Sequence, residues 1–407
     1  MVSLGGILGL SGIAVLQTAP TFSGKPTSGS ILSSNTMAGN VTPTAAPTPT
    51  PAPGSTPSPP KAATKPKLGN GASNALQTAR SGSTPFGVAV GEELLDLSDS
   101  ALNARFADIK AAGLSWIRLD IAWPDVAPNG PGQYSWGGYD RVARSARNAG
   151  IKVVGILDYT PPWARSGACS GSQFCAPASP AQFGSYAGAT AGHFAPLGIN
   201  VWEIWNEPNI GQFYEPSPNP HAYVDLLKAA YPAIKQANSS ATVLTAGLSP
   251  SGTFDGNYSP SDFLSQIYIQ GGRGYFDAVA AHPYTYPDTP AANNPYDAWG
   301  QLTEMHNIMA SRGDGGKLIW ITEYGAPTGG PSSDPNDHIS EAAQSTMLRD
   351  AIYSYRTLSW LGPMLFYTYQ DSSFSTSTSE NFYGLRRADG SAKPSYNTVK
   401  SLMAQLY

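Results

Sequence analysis

The chain has 407 residues, 41% of them hydrophobic, 11% aromatic and 13% charged, enough for one large domain with appendages. Its formal net charge is −4, with the two signs interspersed, which argues against a nucleic-acid-binding role. The composition is uneven: all 28 acidic residues lie after Thr84, whereas five of the 24 basic ones (Lys25, Lys61, Lys65, Lys67 and Arg80) lie before it, together with one aromatic residue, Phe22.

In chain order, the apolar run 4–16 is too short to span a bilayer comfortably and is followed by Gln17, Thr18, Ala19 and Pro20. It has the character of the apolar centre of a secretory signal that lacks a basic start and an A-x-A site. Residues 1–20 are therefore expected to form a signal-like segment, cleaved or anchoring, and the protein to be secreted or associated with the cell envelope; a merely disordered N-terminus is the alternative. Residues 21–84 are expected to form a disordered linker, because 41–67 alternates Pro with Thr, Ser and Ala and has too little apolar surface to fold. The globular domain is expected over 85–407.

Within that domain apolar runs alternate with longer helical stretches. Strands are expected at 86–91, 116–123, 152–159, 201–206, 241–248, 276–282, 317–322 and 364–369, with helices among them at 100–112, 138–149, 221–237, 339–358 and 398–406. Several of the strand runs are continuously apolar, as expected of parallel strands buried on both faces. Eight strand–helix units over about 320 residues predict an α/β fold of the (β/α)₈ TIM-barrel class. An open doubly wound sheet would want a glycine-rich phosphate turn after an early strand; the first strand runs instead into Gly91, Glu92 and Glu93.

Such barrels build their sites at the C-terminal ends of the strands. Those ends carry Arg118, Asp120 and Trp123 on the second strand, Asp158, Tyr159 and Trp163 on the third, and Asn206 and Glu207 on the fourth. His282, Tyr284 and Tyr286 follow on the sixth, Glu323 and Tyr324 on the seventh, and Tyr367, Tyr369 and Asp371 on the eighth. Glu207 and Glu323 would stand across one mouth. Glycoside hydrolysis needs such a pair, one carboxyl protonating the departing oxygen and the other attacking or activating water; their spacing, which separates retention from inversion, is not readable from sequence. Trp163, after Pro161 and Pro162, is placed where an aromatic face stacks on a sugar ring; Trp123 is either such a platform or core, and Trp116, Trp202 and Trp320 read as core. Asp158 and Asp371 have no assigned role. Cys169 and Cys175, six positions apart in a Gly/Ser loop, are expected to form a disulfide in an oxidising compartment, two free thiols being the alternative. With no HExxH motif, scattered histidines and no phosphate-cradling glycine loop, neither a metal nor a cofactor is expected.

The motifs IRLD, TPPW, WNEPN, HPY and TEYG, in that order, resemble glycoside hydrolase clan A, and within it family 39 and neighbouring family 5 enzymes, including bacterial exopolysaccharide hydrolases. The resemblance covers nearly all of 85–407. It implies a retaining glycosidase acting on a polysaccharide or oligosaccharide through a glycosyl-enzyme, with Glu207 as general acid/base and Glu323 as nucleophile. It also implies Asn206 on the sugar 2-hydroxyl, Arg118 and Tyr284 holding Glu323 ionised, and His282 on the same wall. Arg118 could instead neutralise Asp120 or Glu203, and His282 could be a satisfied core histidine. Clan members usually carry a Trp on strand eight, where this chain reads FYTYQD, so Tyr367 or Tyr369 would take its place. A monomer is expected. A catalytically silent glycan-binding barrel and a cell-wall transglycosylase using the same site are the alternative functions. Deleting residues 20–80 is expected to leave activity and melting temperature nearly unchanged; a large loss of either would contradict the linker reading.

Overall fold

The computed structural model describes residues 84–407 except 92, 168, 170, 291–296 and 335; the expected signal-like segment and all of the expected linker but Thr84 lie outside the described residues. Eight strands, β1 (Phe86–Ala89), β2 (Trp116–Asp120), β3 (Lys152–Leu157), β4 (Val201–Ile204), β5 (Thr242–Leu248), β6 (Ala278–Ala281), β7 (Ile319–Tyr324) and β8 (Leu361–Tyr367), each pair in parallel with the next, and β8 pairs back to β1. A long helix follows each strand: α1 (Asp99–Ala111), α2 (Gly137–Ala149), α3 (Pro180–Phe194), α4 (Pro220–Ala237), α5 (Pro260–Ile269), α6 (Ala298–Ser311), α7 (Glu341–Thr357) and α8 (Pro394–Leu406). This is the (β/α)₈ barrel the strand–helix rhythm predicts.

Local chemistry sets the helix starts. Ser98, Ser179, Asn219, Ser259, Asp297 and Ser340 each accept a hydrogen bond from the backbone N–H three residues on, capping α1, α3, α4, α5, α6 and α7. Pro180, Pro220 and Pro260 follow their caps directly, at the position where a missing N–H costs least. α3 buries Phe183, Tyr186 and Phe194. It packs on α4 through Gly184 and Gly188, where a side chain would press on Ala229 and Ala233. β8 starts at Leu361, three residues earlier than expected, and runs through Pro363.

Strand side chains alternate between the barrel interior and the helical layer. Trp116, Val154, Leu244, Ala278, Ala280, Trp320 and Leu365 make an apolar interior floor, with the Trp116 and Trp320 rings edge to face at 5.2 Å. Trp202 and Trp205 belong to the larger core between strands and helices. Two residues beyond Trp116 on the same face of β2 stands Arg118, and two further Asp120, so the interior turns from apolar to charged toward the strand ends.

Gly247 must lack a side chain for this interior to close. A Cβ at Gly247 would lie 2.0 Å from His282 Nε2. Gly247→Ala is therefore expected to cost roughly 1–3 kcal/mol as an overpacked core site and to lower the melting temperature. Gly316→Ala, where an added Cβ meets nothing, should melt like the parent. Equal thermal melts for the two variants would contradict this account of the packing.

Candidate active site

The site grows from Arg118. Its Nε donates to Glu203 Oε2 at 2.9 Å, Nη2 to Glu203 Oε1 at 3.3 Å and to Asn206 Oδ1 at 2.9 Å, and Nη1 to Glu323 Oε1 at 2.7 Å. Glu203 is wholly buried, and its Oε1 also accepts the Gly247 N–H at 2.7 Å and the Thr322 hydroxyl at 3.2 Å. Two charges out of water are tolerable only with such full hydrogen bonding. Both sequence readings of Arg118 therefore hold, since it neutralises Glu203 and grips Glu323. Because Asn206 Oδ1 faces Arg118, its amide nitrogen is left as the donor.

Glu323 Oε2 accepts the Tyr284 hydroxyl at 2.6 Å. Burial pushes its carboxyl up, but the charges of His282 and Arg118 and the hydrogen bonds from Tyr284 and Arg118 outweigh it and hold it below the usual glutamate value. Glu323 is thus ionised at neutral pH.

Glu207 sits in a turn held in sparsely populated backbone, with φ of 71° at Trp205 and 45° at Glu207. Such left-handed non-glycine residues cost about 1–3 kcal/mol each and persist where neighbours over-determine them. Here the Trp205 N–H donates to Leu157 O at 2.9 Å, the Glu207 N–H to Gly247 O at 3.1 Å, and Trp205 Nε1 to Phe213 O at 2.8 Å. Glu207 Oε1 lies 2.8 Å from His282 Nδ1, and His282 Nε2 lies 3.1 Å from Thr322 Oγ1. The Thr322 hydroxyl gives its proton to Glu203, so its oxygen accepts from Nε2–H. Nδ1 is thus the ring nitrogen left to bond Glu207. Burial pushes His282 down, but the Glu323 charge and the bond to Glu207 bring it above its ordinary value. The proton is thus shared within a His282–Glu207 pair. An oxygen of Glu207, a nitrogen of His282 and an oxygen of Glu323 lie within 4.8 Å of one another.

Four tyrosines wall one side. Tyr383 packs against Tyr367 at 5.2 Å, Tyr284 at 6.0 Å and Tyr286 at 6.2 Å, and its hydroxyl donates to that of Tyr286 at 3.0 Å. Burial pushes all four phenols up, so they remain protonated donors.

Arg118, Asn206, Glu207, His282, Tyr284 and Glu323, singled out from sequence, meet in this one bonded group. Trp163 stands at the rim, half-buried, its Nε1 donating to Ala127 O at 2.8 Å and its ring edge to face with the fully buried Trp123 at 5.3 Å. Tyr369 is a correction: its hydroxyl donates to Asp108 at 2.8 Å and its ring lies 4.1 Å under Arg105, away from the glutamates. β8 ends at Tyr367, so strand alternation does not carry on to Tyr369, and Tyr367 is the strand-eight tyrosine beside Tyr284. Cys169 and Cys175 are joined, and their loop is tied to the one after β4 by bonds from Ala176 N to Glu215 O and from Glu215 N to Phe174 O. Sequence reasoning missed Thr322, Gly247 and Tyr383. Thr322 and Gly247 carry a local signal, one flanking Glu323 and the other ending an apolar strand; Tyr383 lies in a loop with none.

A family model described as cellulase (glycosyl hydrolase family 5) matches residues 82–361. A chloroplastic beta-amylase 1 of Arabidopsis thaliana is 34% identical over 59 residues, 14% of this chain and 10% of the amylase. A family 39 glycoside hydrolase from the gut symbiont Bacteroides cellulosilyticus WH2 superposes with a TM-score of 0.63 at 24% identity, covering 80% of this chain and 64% of that one. A monomeric beta-xylosidase from Caulobacter crescentus CB15 superposes with a TM-score of 0.59 at 21% identity, covering 79% and 69%. At these identities the structural likeness is one of fold, and the chain spans less than two thirds of the Bacteroides enzyme and a tenth of the amylase.

Tyr284→Phe removes a donor that favours ionised Glu323, so the carboxyl should titrate at higher pH than in the parent protein. Glu323 is held below its ordinary value in the folded state, so it stabilises the fold at neutral pH, and that contribution is lost as pH falls through the folded value. The variant should lose it sooner on acidification. NMR titration of carboxyl-labelled glutamate checks this; an unmoved Glu323 midpoint would contradict it.

Proposed function

The chain belongs to the cellulase family, glycosyl hydrolase family 5, and on that premise we propose that it is a retaining glycosidase, cleaving an O-glycosidic bond of a polysaccharide or oligosaccharide by double displacement. The observation that carries this reading is the approach of Glu207 and Glu323 oxygens to within 4.8 Å. Retention calls for carboxyl groups about 5–5.5 Å apart, whereas inversion needs roughly 6.5–9.5 Å to seat a water between substrate and base.

In the first step an oxygen of ionised Glu323 attacks the anomeric carbon. Glu207 gives its proton to the glycosidic oxygen, the bond from the anomeric carbon to that oxygen breaks, and a glycosyl ester forms on Glu323. His282, accepting from the protonated carboxyl, keeps Glu207 aimed before transfer. In the second step Glu207, now a carboxylate, takes a proton from water as the water oxygen attacks the anomeric carbon and releases Glu323. The Asn206 amide donates to the sugar 2-hydroxyl. Tyr367, backed by Tyr383, stands where clan members usually carry tryptophan, and Trp163 offers a face further along the glycan. A glycan-binding role alone gives no account of a carboxylate held ionised with a second carboxyl so close beside it. The signal-like run, the Pro/Thr-rich spacer and the Cys169–Cys175 bond support a secreted or envelope-associated enzyme.

The two carboxylates should fail differently. Glu207→Ala should slow natural glycosides by about 10²–10⁴ as a lost general acid. It should still be glycosylated by an aryl glycoside whose leaving group needs no proton, and azide should rescue it with retained configuration. Glu323→Gly should be inactive on both substrates, with azide yielding the inverted glycosyl azide. The opposite pattern would reverse the roles, and full activity in both variants would place the chemistry elsewhere.

A further inference from the structure

Asp120 has no part in the chemistry described so far, yet it stands at the mouth. It lies two residues past Arg118 on the same face of β2, at the strand end. Arg118 Nη1 is 3.9 Å from its Oδ1, too far for a hydrogen bond. Oδ1 is shut off from solvent and has no hydrogen-bond partner, although the side chain as a whole is 22% exposed. The accessible part is therefore on the side away from Oδ1. A half-buried carboxylate has about four acceptor positions, and leaving them unfilled is costly.

The surroundings fix what could fill them. Arg118 with Glu203, Glu323, His282 and the phenols of Tyr159 and Tyr367 are the charged or titratable groups that bear on Asp120 from its own strand, the fourth, seventh and sixth strands, and the ends of the third and eighth. Burial raises its carboxyl, Arg118 pulls it down, and Glu323 and Glu203 push it up again, leaving it at about 6. It is ionised at neutral pH in a neighbourhood that is already negative. Each nitrogen of Arg118 already donates to Glu203, Glu323 or Asn206. Among the described residues, Arg118 and His282 are the cationic or potentially cationic side chains in ion-pair contact with Glu203, Glu207 or Glu323. An anionic sugar here would add a charge with no cation free to meet it. A sugar hydroxyl would supply a donor to the accessible side of the Asp120 carboxylate.

We infer that Asp120 accepts a hydrogen bond from a hydroxyl of the sugar whose anomeric carbon Glu323 attacks, and that this third carboxylate selects neutral sugars over uronic acids at that position. The inference rests on the glycosidase reading above. Its test measures kcat/KM of wild type, Asp120→Asn and Glu323→Gly on 2,4-dinitrophenyl β-glucoside, β-xyloside, β-galactoside, β-mannoside and β-glucuronide, with thermal melts alongside. Wild type should hydrolyse at least one neutral glycoside and discriminate at least ~100-fold against the glucuronide, since an unpaired buried charge is strongly rejected. Asp120→Asn should lose at least ~10-fold on the neutral substrate and narrow the discrimination at least ~10-fold, with little change in melting temperature. Where Asp120→Asn does not fold, Asp120→Ser takes its place, and wild-type selectivity is read without any variant. A variant with wild-type rate and selectivity, or a wild type that takes the glucuronide as readily as the neutral glycosides, overturns the inference and leaves the roles of Glu207 and Glu323 standing. An inactive wild type across the panel overturns the inference, and equal hydrolysis by wild type and Glu323→Gly overturns the glycosidase reading and the inference with it.

Discussion

A guanidinium inside a barrel is a fixed positive charge, because no accessible pH removes its proton. Arg118 brings that charge to within two residues of an apolar floor, and the rest of the interior answers it. Glu203 offers both its oxygens from β4, and the Gly247 N–H and the Thr322 hydroxyl complete that carboxylate's bonding. Removing one partner of such a buried pair costs about 3–5 kcal/mol, so none of these contacts is free to drift. What remains of Arg118 is one edge, and Glu323 occupies it. The nucleophile is therefore positioned by a network built first to satisfy a buried ion pair.

The same network reaches the second glutamate through hydrogens. Thr322, committed to Glu203, leaves its oxygen to His282 Nε2–H, and the opposite nitrogen is left facing Glu207. One chain of bonds thus favours a bare carboxylate on one side of the mouth and a proton between His282 and Glu207 on the other. The strained turn at Trp205 and Glu207 is held by bonds to β3 and β5, so the barrel's own hydrogen bonding sustains a backbone shape that an isolated loop would abandon.

Much of this was legible in the sequence because it lies at strand ends. Continuous apolar runs mark the strands and place Arg118, Asn206, Glu207, His282, Tyr284 and Glu323 at their ends, and the resemblance to clan A singles those six out from the other strand-end residues. What escaped was of two kinds. α3 packs partly through small residues such as Gly184 against Ala229, whereas α5 and α6 bury Phe263, Leu264 and Ile267, and Trp299, Leu302 and Met305, an apolar face the strand-end reading did not use. Tyr383 joins the site because the chain folds back after β8, and Tyr369 leaves it for the same reason: alternation predicts direction only while the strand lasts. Gly247 ends an apolar strand, and the approach of His282 shows why a side chain there is not tolerated.

The central claim is that Glu323 carries the sugar between the two halves of the reaction. The most direct test incubates the protein with a 2,4-dinitrophenyl 2-deoxy-2-fluoro-β-glycoside of a sugar it hydrolyses, then maps the modified peptide by mass spectrometry. The fluorine slows the second displacement, so the ester should accumulate on Glu323, in step with one equivalent of dinitrophenolate. An adduct on Glu207, or steady turnover to an inverted sugar with no adduct at all, would contradict the account.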